Sequence, residues 1–247
     1  IEIGYRTIDT AQLYKNHTEI KLGIDLSGVN RSDIFIQSKI SNKNISKLSI
    51  CESICQIKSE LGIEYIDSIL LHNPVKNYVL AWEELIRCKE HTQIKNIGVS
   101  NFGIQDIVNI VKKTNVYPWL NQIELNIFNQ QRDMIEYAKM NNIKIQSHTT
   151  LTNGKMLGNH DLELWMNKLK LEPEPEPTQN IHIPELMYKF VLDQSIGILS
   201  KTTNLVHLYN NFNLDKKPTI FTTEFLNKHQ EELKKFNIGY KIYEYPK

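Results

Sequence analysis

The sequence predicts an α/β fold in which parallel strands alternate with helices, and two observations indicate it. Short runs rich in isoleucine, leucine and valine recur along the 247 residues, and stretches with apolar residues at helical spacing separate them. Polar residues end or follow each of these runs. Strands interleaved with helices of this length form a parallel sheet, which is either open or closed into a barrel.

Seven strands are predicted along the chain. In order they are Ile3–Ile8, Ile34–Ser38, Ser68–Leu71, Asn96–Ser100, Leu120–Glu124, Ile143–Ser147 and Ile196–Leu199. The intervening segments have helical periodicity, and Ile54, Ile57 and Leu61, for example, would share one face of a helix. A further helix is predicted to begin near Pro184, after an extended proline–glutamate spacer at residues 172–177.

The polar residues at the strand ends favour the barrel over the open sheet. In a β/α barrel every position just after a strand faces one common mouth, whereas an open sheet gathers only those near its switch point. All seven strands carry such residues: Asp9, Lys39, His72, Ser100 with Asn101, Gln122, His148 and Lys201. We therefore predict a (β/α)8 TIM barrel that forms a single domain over residues 1–247.

Composition and charge argue against several other classes of protein. A formal net charge of +1 creates no field that would recruit nucleic acid or an anionic membrane, and no apolar run is long enough to span a bilayer. Three cysteines are too few for a disulfide framework. Cys51 and Cys55, one turn apart on a predicted helix, are expected to be buried or semi-buried free thiols with no metal site nearby. We expect a cytoplasmic monomer without a bound metal ion.

Four residues at or near the first three strand ends suggest acid–base chemistry. If Asp9, Tyr14, Lys39 and His72 meet at one mouth, Lys39 would pair with Asp9 and lie near the Tyr14 hydroxyl. A nearby ammonium favours phenolate and lowers a tyrosine pKa that is about 10 in water, which makes the hydroxyl a better acid. His72, as a neutral donor, could hydrogen-bond a carbonyl oxygen and align it.

Five ordered blocks of this sequence resemble the aldo-keto reductase family. They are Gly4–Tyr14 with Asn16, Phe35–Ile40, Tyr65–His72, Ile97–Phe102 and Asn121–Glu124. The resemblance implies an oxidoreductase that reduces an aldehyde or ketone with NADPH, NADH being a possible substitute. It also implies that Asp9, Tyr14, Lys39 and His72 form the catalytic tetrad, with Tyr14 as the general acid.

The same resemblance implies a set of cofactor-binding residues. Ser100, Asn101 and Gln122 would bind the nicotinamide carboxamide, because an amide needs both donors and acceptors. The other implied cofactor residues are His148, Thr149 and Leu151 after the sixth strand, and Lys201, Thr202, His207 and Asn211 after the seventh. Of these, Lys201 and Thr202 would bind the 2′-phosphate and Asn211 the adenine.

The sequence departs from the family pattern at several of these positions. His148 replaces a tyrosine that stacks on the nicotinamide, and His207 replaces an arginine at the 2′-phosphate. We therefore expect weaker NADPH binding and a smaller preference over NADH. Asn73, which with His72 would line the substrate site, replaces a tryptophan, and Ser41 replaces another aromatic residue. A polar or sugar-like substrate fits this more polar mouth.

Relatives also carry a hairpin and a first barrel strand before the position of Ile1, so seven of the eight strands are expected here. Either preceding residues complete the barrel in a longer protein, or cofactor binding is abnormal. The tail Ile238–Tyr245 could fill the missing strand position or correspond to the family's C-terminal loop.

Three functional hypotheses stay open. One is an active NADPH-dependent reductase of a small carbonyl substrate. Another is a catalytically impaired descendant that binds the cofactor or serves as a scaffold. The third is a metal-dependent barrel hydrolase or isomerase, for which only Asp9 and His72 would qualify as ligands.

Overall fold

The structure, a computed structural model, describes residues 1–170 and 181–243. Within these residues the chain forms two compact units. Unit 1 consists of Ile1–Gln122 and Met134–Lys144, and unit 2 consists of Ile123–Asp133 and the described part of residues 145–243. The proline–glutamate spacer predicted at 172–177 lies outside the described residues.

Seven strands form one sheet, and their order in the sheet is their order in the chain. They are β1 (Thr7–Asp9), β2 (Phe35–Ile40), β3 (Ile66–Leu71), β4 (Ile94–Ser100), β5 (Leu120–Glu124), β6 (Lys144–His148) and β7 (Gly197–Ile198). Each pairing between neighbouring strands that the structure describes is parallel. The predicted α/β fold with seven parallel strands is therefore confirmed.

The first strand is shorter than predicted, because a turn takes the place of its beginning. Gly4 has a φ of +121°, a conformation that favours glycine, and its N–H donates to the Ile1 carbonyl at 2.9 Å. The Arg6 side chain donates to the same carbonyl at 2.9 Å. Extended pairing begins only at Thr7, opposite Phe35.

Helices follow or precede the strands along the chain. They are α1 (His17–Ser27), α2 (Asn42–Lys47), α3 (Ile50–Leu61), α4 (Tyr78–Thr92), α5 (Ile104–Thr114), α6 (Arg132–Met140), α7 (His160–Lys170), α8 (Ile183–Leu192), α9 (Leu205–Phe212), α10 (Thr223–Lys228) and α11 (Gln230–Phe236). The predicted helix start near Pro184 is confirmed by α8, which carries this proline in its first turn. Among the helices of the described residues, none combines the length and the apolar character that a membrane span requires.

The core of unit 1 lies between the sheet and its helices. Every residue of β3 is buried, and on α3 the predicted face of Ile54, Ile57 and Leu61 is buried as well. Gly98 of β4 lies close to the backbone of the neighbouring strand, since a Cβ there would lie 2.6 Å from the Leu120 carbonyl oxygen. Tight packing of this kind holds the ends of β1 to β4 in fixed positions.

In unit 2, a buried ion pair on α8 fixes the chain that follows α9. Lys189 Nζ lies 2.6 Å from Asp193 Oδ1, and both side chains are almost fully buried. The other Asp193 oxygen accepts the backbone N–H groups of Ile220 and Phe221 at 2.8 and 3.0 Å. Because each charge has partners, the cost of burying it is offset.

The prediction of free thiols was wrong for one of the two cysteines on α3. Cys51 forms a disulfide with Cys88 of α4, and their Cα atoms are 5.6 Å apart. Cys55 is free, as expected, but it is exposed and not buried or semi-buried. The spacing of Cys51 and Cys55 along the sequence carried no information about α4, since only packing of α3 against α4 brings Cys88 across 37 residues of chain.

Candidate active site

A buried lysine and a carboxylate form the base of the site in unit 1. Lys39 lies near the end of β2 with its side chain fully buried, and its Nζ donates to Asp9 Oδ2 at 2.5 Å. The same nitrogen donates to the Thr10 carbonyl at 2.9 Å. Burial lowers the pKa of Lys39, and the negative charge of Asp9 opposes that shift. The parallel register of β1 and β2 places the two residues within reach.

Two amide groups fix the second oxygen of Asp9. Gln37 Nε2 donates to Oδ1 at 2.8 Å and Gln122 Nε2 donates to the same atom at 2.9 Å. Gln37 comes from β2 and Gln122 from β5. With Lys39 on the other oxygen, the carboxylate is held by three donors and cannot rotate without losing them.

Tyr14 lies beside this pair on a single 3-10 turn, Gln12–Tyr14, that follows β1. The Lys39 Nζ is 5.1 Å from the centre of the Tyr14 ring, and the His72 ring meets it edge-on with 6.0 Å between ring centres. Tyr14 is also 48% exposed. The ring therefore contacts buried polar groups on one side while a molecule from solution can reach it on another.

Side chains from several elements hold the turn that carries Tyr14. Thr10 Oγ1 donates to Asn16 Oδ1 at 2.6 Å and so closes the segment around Tyr14. Gln12 Oε1 accepts the Ser41 backbone N–H at 3.0 Å and the Asn44 side-chain amide at 3.2 Å. These bonds join the turn to the beginning of α2.

His72 follows β3 directly and is neutral at physiological pH. Burial, and to a smaller extent the ammonium of Lys39, lower the pKa of His72, Asp9 acts in the opposite direction, and the net value is about 4. Its backbone N–H donates to the Ile40 carbonyl at 3.2 Å, and its own carbonyl accepts Asn101 Nδ2 at 3.2 Å. A neutral imidazole carries one N–H donor, the state needed to hydrogen-bond a carbonyl oxygen.

Ser100, Asn101 and Gln122 form a polar cluster next to Asp9. Asn101 Nδ2 donates to Ser100 Oγ at 3.0 Å, and Ser100 Oγ donates to the Gln122 carbonyl at 3.1 Å. Asn101 adopts a left-handed conformation with a φ of +62°, which turns the chain directly after β4. One hydroxyl and two amides offer the donors and acceptors that a carboxamide ligand requires.

The remaining predicted cofactor residues lie in unit 2. His148 ends β6, and its Nδ1 is 2.9 Å from the hydroxyl of Thr149. Its ring lies 6.4 Å from that of Tyr243, and Tyr243 N–H donates to the buried Glu124 carboxylate at 3.2 Å. Leu151 follows two residues after Thr149, at the start of a 3-10 turn.

The residues predicted to bind the adenosine phosphate come after β7 in the same unit. Lys201 is exposed, and Thr202 Oγ1 accepts the Asn204 N–H at 3.0 Å. His207 and Asn211 are four residues apart on α9, so they share one face of that helix. No residue of α9 is buried.

Comparison with known proteins decides the family. The model of the aldo/keto reductase family matches residues 1–228. This chain belongs to the aldo-keto reductase family. The 9,11-endoperoxide prostaglandin H2 reductase of Trypanosoma cruzi is 31% identical over 218 residues, which are 87% of this chain and 74% of that protein. The methylglyoxal reductase DkgA of Yersinia pestis is 30% identical over 215 residues, 86% of this chain and 74% of the relative.

A solved structure supports the fold of this aldo-keto reductase. The aldo-keto reductase of Bombyx mori, crystallised in complex with NADP, superposes with a TM-score of 0.82 at 21% identity. The match covers 98% of this chain and 82% of that one. The predicted TIM-barrel fold, with seven strands in this chain, is thereby confirmed.

Asn73 is less accessible in this aldo-keto reductase than its predicted role suggests. It is buried, and its Nδ2 donates to Asn42 Oδ1 at 2.9 Å. Among the described residues no donor reaches its Oδ1. Ser41, the other replaced aromatic position, caps the start of α2 by accepting the Asn44 N–H. Contact of Asn73 with a substrate stays a prediction.

The sequence did not reveal a buried network behind Lys39. His17 Nε2 lies 3.0 Å from Ser38 Oγ, and its Nδ1 lies 2.7 Å from Glu60 Oε2. Burial acts to raise the pKa of Glu60, but hydrogen bonds from His17 and Gln56 lower it overall. The connectivity is that of a serine hydrolase triad. Ser38 and His17 are buried, however, so no substrate reaches the serine and the network joins α1, β2 and α3 instead.

Proposed function

We propose that this chain is an NADPH-dependent oxidoreductase that reduces a small aldehyde or ketone to an alcohol, with Tyr14 as general acid. The observation that carries the proposal is that the half-exposed Tyr14 ring lies beside both the ammonium of Lys39 and the ring of His72. A nearby positive charge stabilises phenolate and so makes a tyrosine hydroxyl a better acid, and Lys39, anchored by Asp9, supplies that charge.

The residues divide the proton chemistry among them. The Tyr14 hydroxyl donates its proton to the carbonyl oxygen, and the charge of Lys39 stabilises the phenolate that remains. The neutral His72 orients the oxygen before transfer, because a cationic imidazole is disfavoured by its burial. Asp9 does not contact the substrate in this scheme and acts by holding Lys39 in place.

The nicotinamide cofactor, when bound, supplies the hydride. Ser100, Asn101 and Gln122 would hold its carboxamide, and their hydroxyl and amide groups suit that ligand. Lys201 and Thr202 would bind the 2′-phosphate. Because His207 lacks the permanent charge of arginine, we expect the preference for NADPH over NADH to be modest.

The proposed substrate class is a small, polar carbonyl compound such as methylglyoxal. One relative is named as a methylglyoxal reductase, and the polar residues Asn73 and Ser41 stand where aromatic walls would favour apolar aldehydes. We also propose that the protein is a cytoplasmic, single-domain monomer. We propose further that it binds no nucleic acid, and the near-zero net charge of +1 supports this last point.

The proposal is tested by following NADPH absorbance in the presence of methylglyoxal, glyoxal and an apolar aldehyde, with NADH in parallel. We expect carbonyl-dependent oxidation of NADPH, fastest with the small dicarbonyls, and none when the carbonyl is omitted. Fluorescence titration measures NADPH binding in the same samples. Binding without turnover on any carbonyl would instead support the catalytically impaired descendant.

A further inference from the structure

A second group of reactive side chains lies between α3 and α4, and none of its members belongs to the candidate active site. Cys51 is in the first turn of α3, while Glu84 and Cys88 are one turn apart on α4. The two Sγ atoms and a carboxylate oxygen of Glu84 all lie within 4.8 Å of one another. In the structure the two cysteines are joined as a disulfide.

We propose that the reduced form of this group binds one thiophilic divalent cation, of which Zn²⁺ is the type, through Cys51, Cys88 and Glu84. Two thiolates and one carboxylate are ligands that zinc accepts, and three protein ligands leave a fourth position for water. The proposal goes beyond the reductase function and does not depend on it.

The geometry allows a cation to replace the sulfur–sulfur bond with little movement of the backbone. Zinc–sulfur bonds of about 2.3 Å at tetrahedral angles place two thiolates roughly 3.8 Å apart. The Cα atoms of Cys51 and Cys88 are 5.6 Å apart, so rotation about the side-chain bonds is enough to open that distance. Glu84 and Cys88, at positions i and i+4, project from the same face of α4.

The charges of the three ligands also favour a cation. Cys51 lies in the first turn of α3, where the backbone N–H groups of the helix end favour a negatively charged side chain. Cys88 is buried, and a buried thiolate is costly unless a positive charge or a metal compensates it. Two thiolates beside a carboxylate repel one another, and a divalent cation removes that repulsion.

The two states are related by a balanced exchange. One thiolate of an external dithiol attacks a sulfur of the Cys51–Cys88 bond and releases the other cysteine as a thiolate. The second thiol of the reductant then displaces the remaining cysteine and closes its own disulfide, so that two electrons and two protons have entered the protein. Metal binding afterwards releases the protons of the two thiols. A disulfide compound reverses the sequence, because it accepts the two electrons and becomes a dithiol while the Cys51–Cys88 bond re-forms and the cation is expelled.

The test uses the full chain, reduced with a phosphine under nitrogen, and Zn²⁺ alone as the probe. Equilibrium dialysis with elemental analysis is expected to give one bound Zn²⁺ per reduced chain. Prior oxidation with a diazene disulfide-forming reagent is expected to abolish binding. Losing a group that only positions a metal ligand typically costs about 10–100-fold in affinity. Cys51→Ser and Glu84→Gln remove proposed ligands and should each weaken binding at least about tenfold, whereas Cys55→Ser, which removes the free thiol, should bind as the wild type does.

Several results would overturn the proposal. They are no binding by the reduced chain, equal binding by the oxidised chain, or equal binding by Cys51→Ser. If Cys88→Ser fails to fold because Cys88 is buried, the variants at Cys51 and Glu84 still decide the matter. Since none of these measurements uses turnover, their failure is distinct from failure of the proposed reductase activity.

Discussion

Replacing Tyr14 with phenylalanine is expected to lower kcat by about 10²–10⁴-fold, because the variant has no proton to give to the carbonyl oxygen. The ring contacts of Tyr14 with Lys39 and His72 do not require the hydroxyl. We therefore expect the variant to fold and to bind NADPH as the wild type does. Steady-state kinetics with methylglyoxal, together with NADPH titration by fluorescence, measure both effects.

A matched control is Tyr117→Phe, which removes a hydroxyl from another exposed tyrosine in unit 1. It is expected to leave kcat and NADPH binding unchanged. Wild-type turnover by Tyr14→Phe, or an equal loss in the Tyr117 variant, would show that Tyr14 is not the acid.

Breaking the Asp9–Lys39 pair is expected to cost both stability and activity. Removing one partner of a buried ion pair leaves an uncompensated charge and typically costs about 3–5 kcal/mol of unfolding free energy. Asp9→Asn and Lys39→Met should each unfold at a lower urea concentration than the wild type, and each should lose unfolding free energy of this order. The double variant should recover most of the lost unfolding free energy, since neither charge remains. It should recover no activity, since the cation beside Tyr14 is gone.

The pair Lys21–Asp25 on α1 is the control for this experiment. Its atoms are also 2.5 Å apart, but its side chains are 45% and 57% exposed. Exposed pairs contribute about 0–1 kcal/mol, so Lys21→Met should barely move the urea midpoint. Equal, small effects at the two pairs, or full activity in the double variant, would contradict the role given to Lys39.

The sequence predicts the part of the site that depends on alternation of strands and helices. Asp9 and Ser100 end strands, His72 follows one, and Lys39 and Gln122 lie within two residues of a strand end. In a parallel sheet such positions share one edge. Their convergence in unit 1 could therefore be anticipated before any coordinates. The same reasoning found the helix at Pro184 and the buried face of α3.

Features that depend on packing between helices were not predictable. The disulfide partner of Cys51 lies on a different helix, and the hydrogen-bond partners of His17 lie on β2 and α3. No spacing along the chain therefore indicates either contact. The burial of Asn73 depends on Asn42 at the start of α2, which is also distant in sequence. Local patterns specify elements and their ends, while such contacts depend on how the elements pack.

Isotope transfer from the cofactor is the most direct measurement of the central claim. NADPH carrying deuterium on the transferring face of its nicotinamide is incubated with the protein and methylglyoxal, and the alcohol formed is analysed by mass spectrometry and NMR. A reductase that works as proposed places one deuterium on the carbinol carbon and takes the hydroxyl proton from Tyr14 and solvent. An alcohol without deuterium, or no alcohol from a protein that binds NADPH, would contradict it.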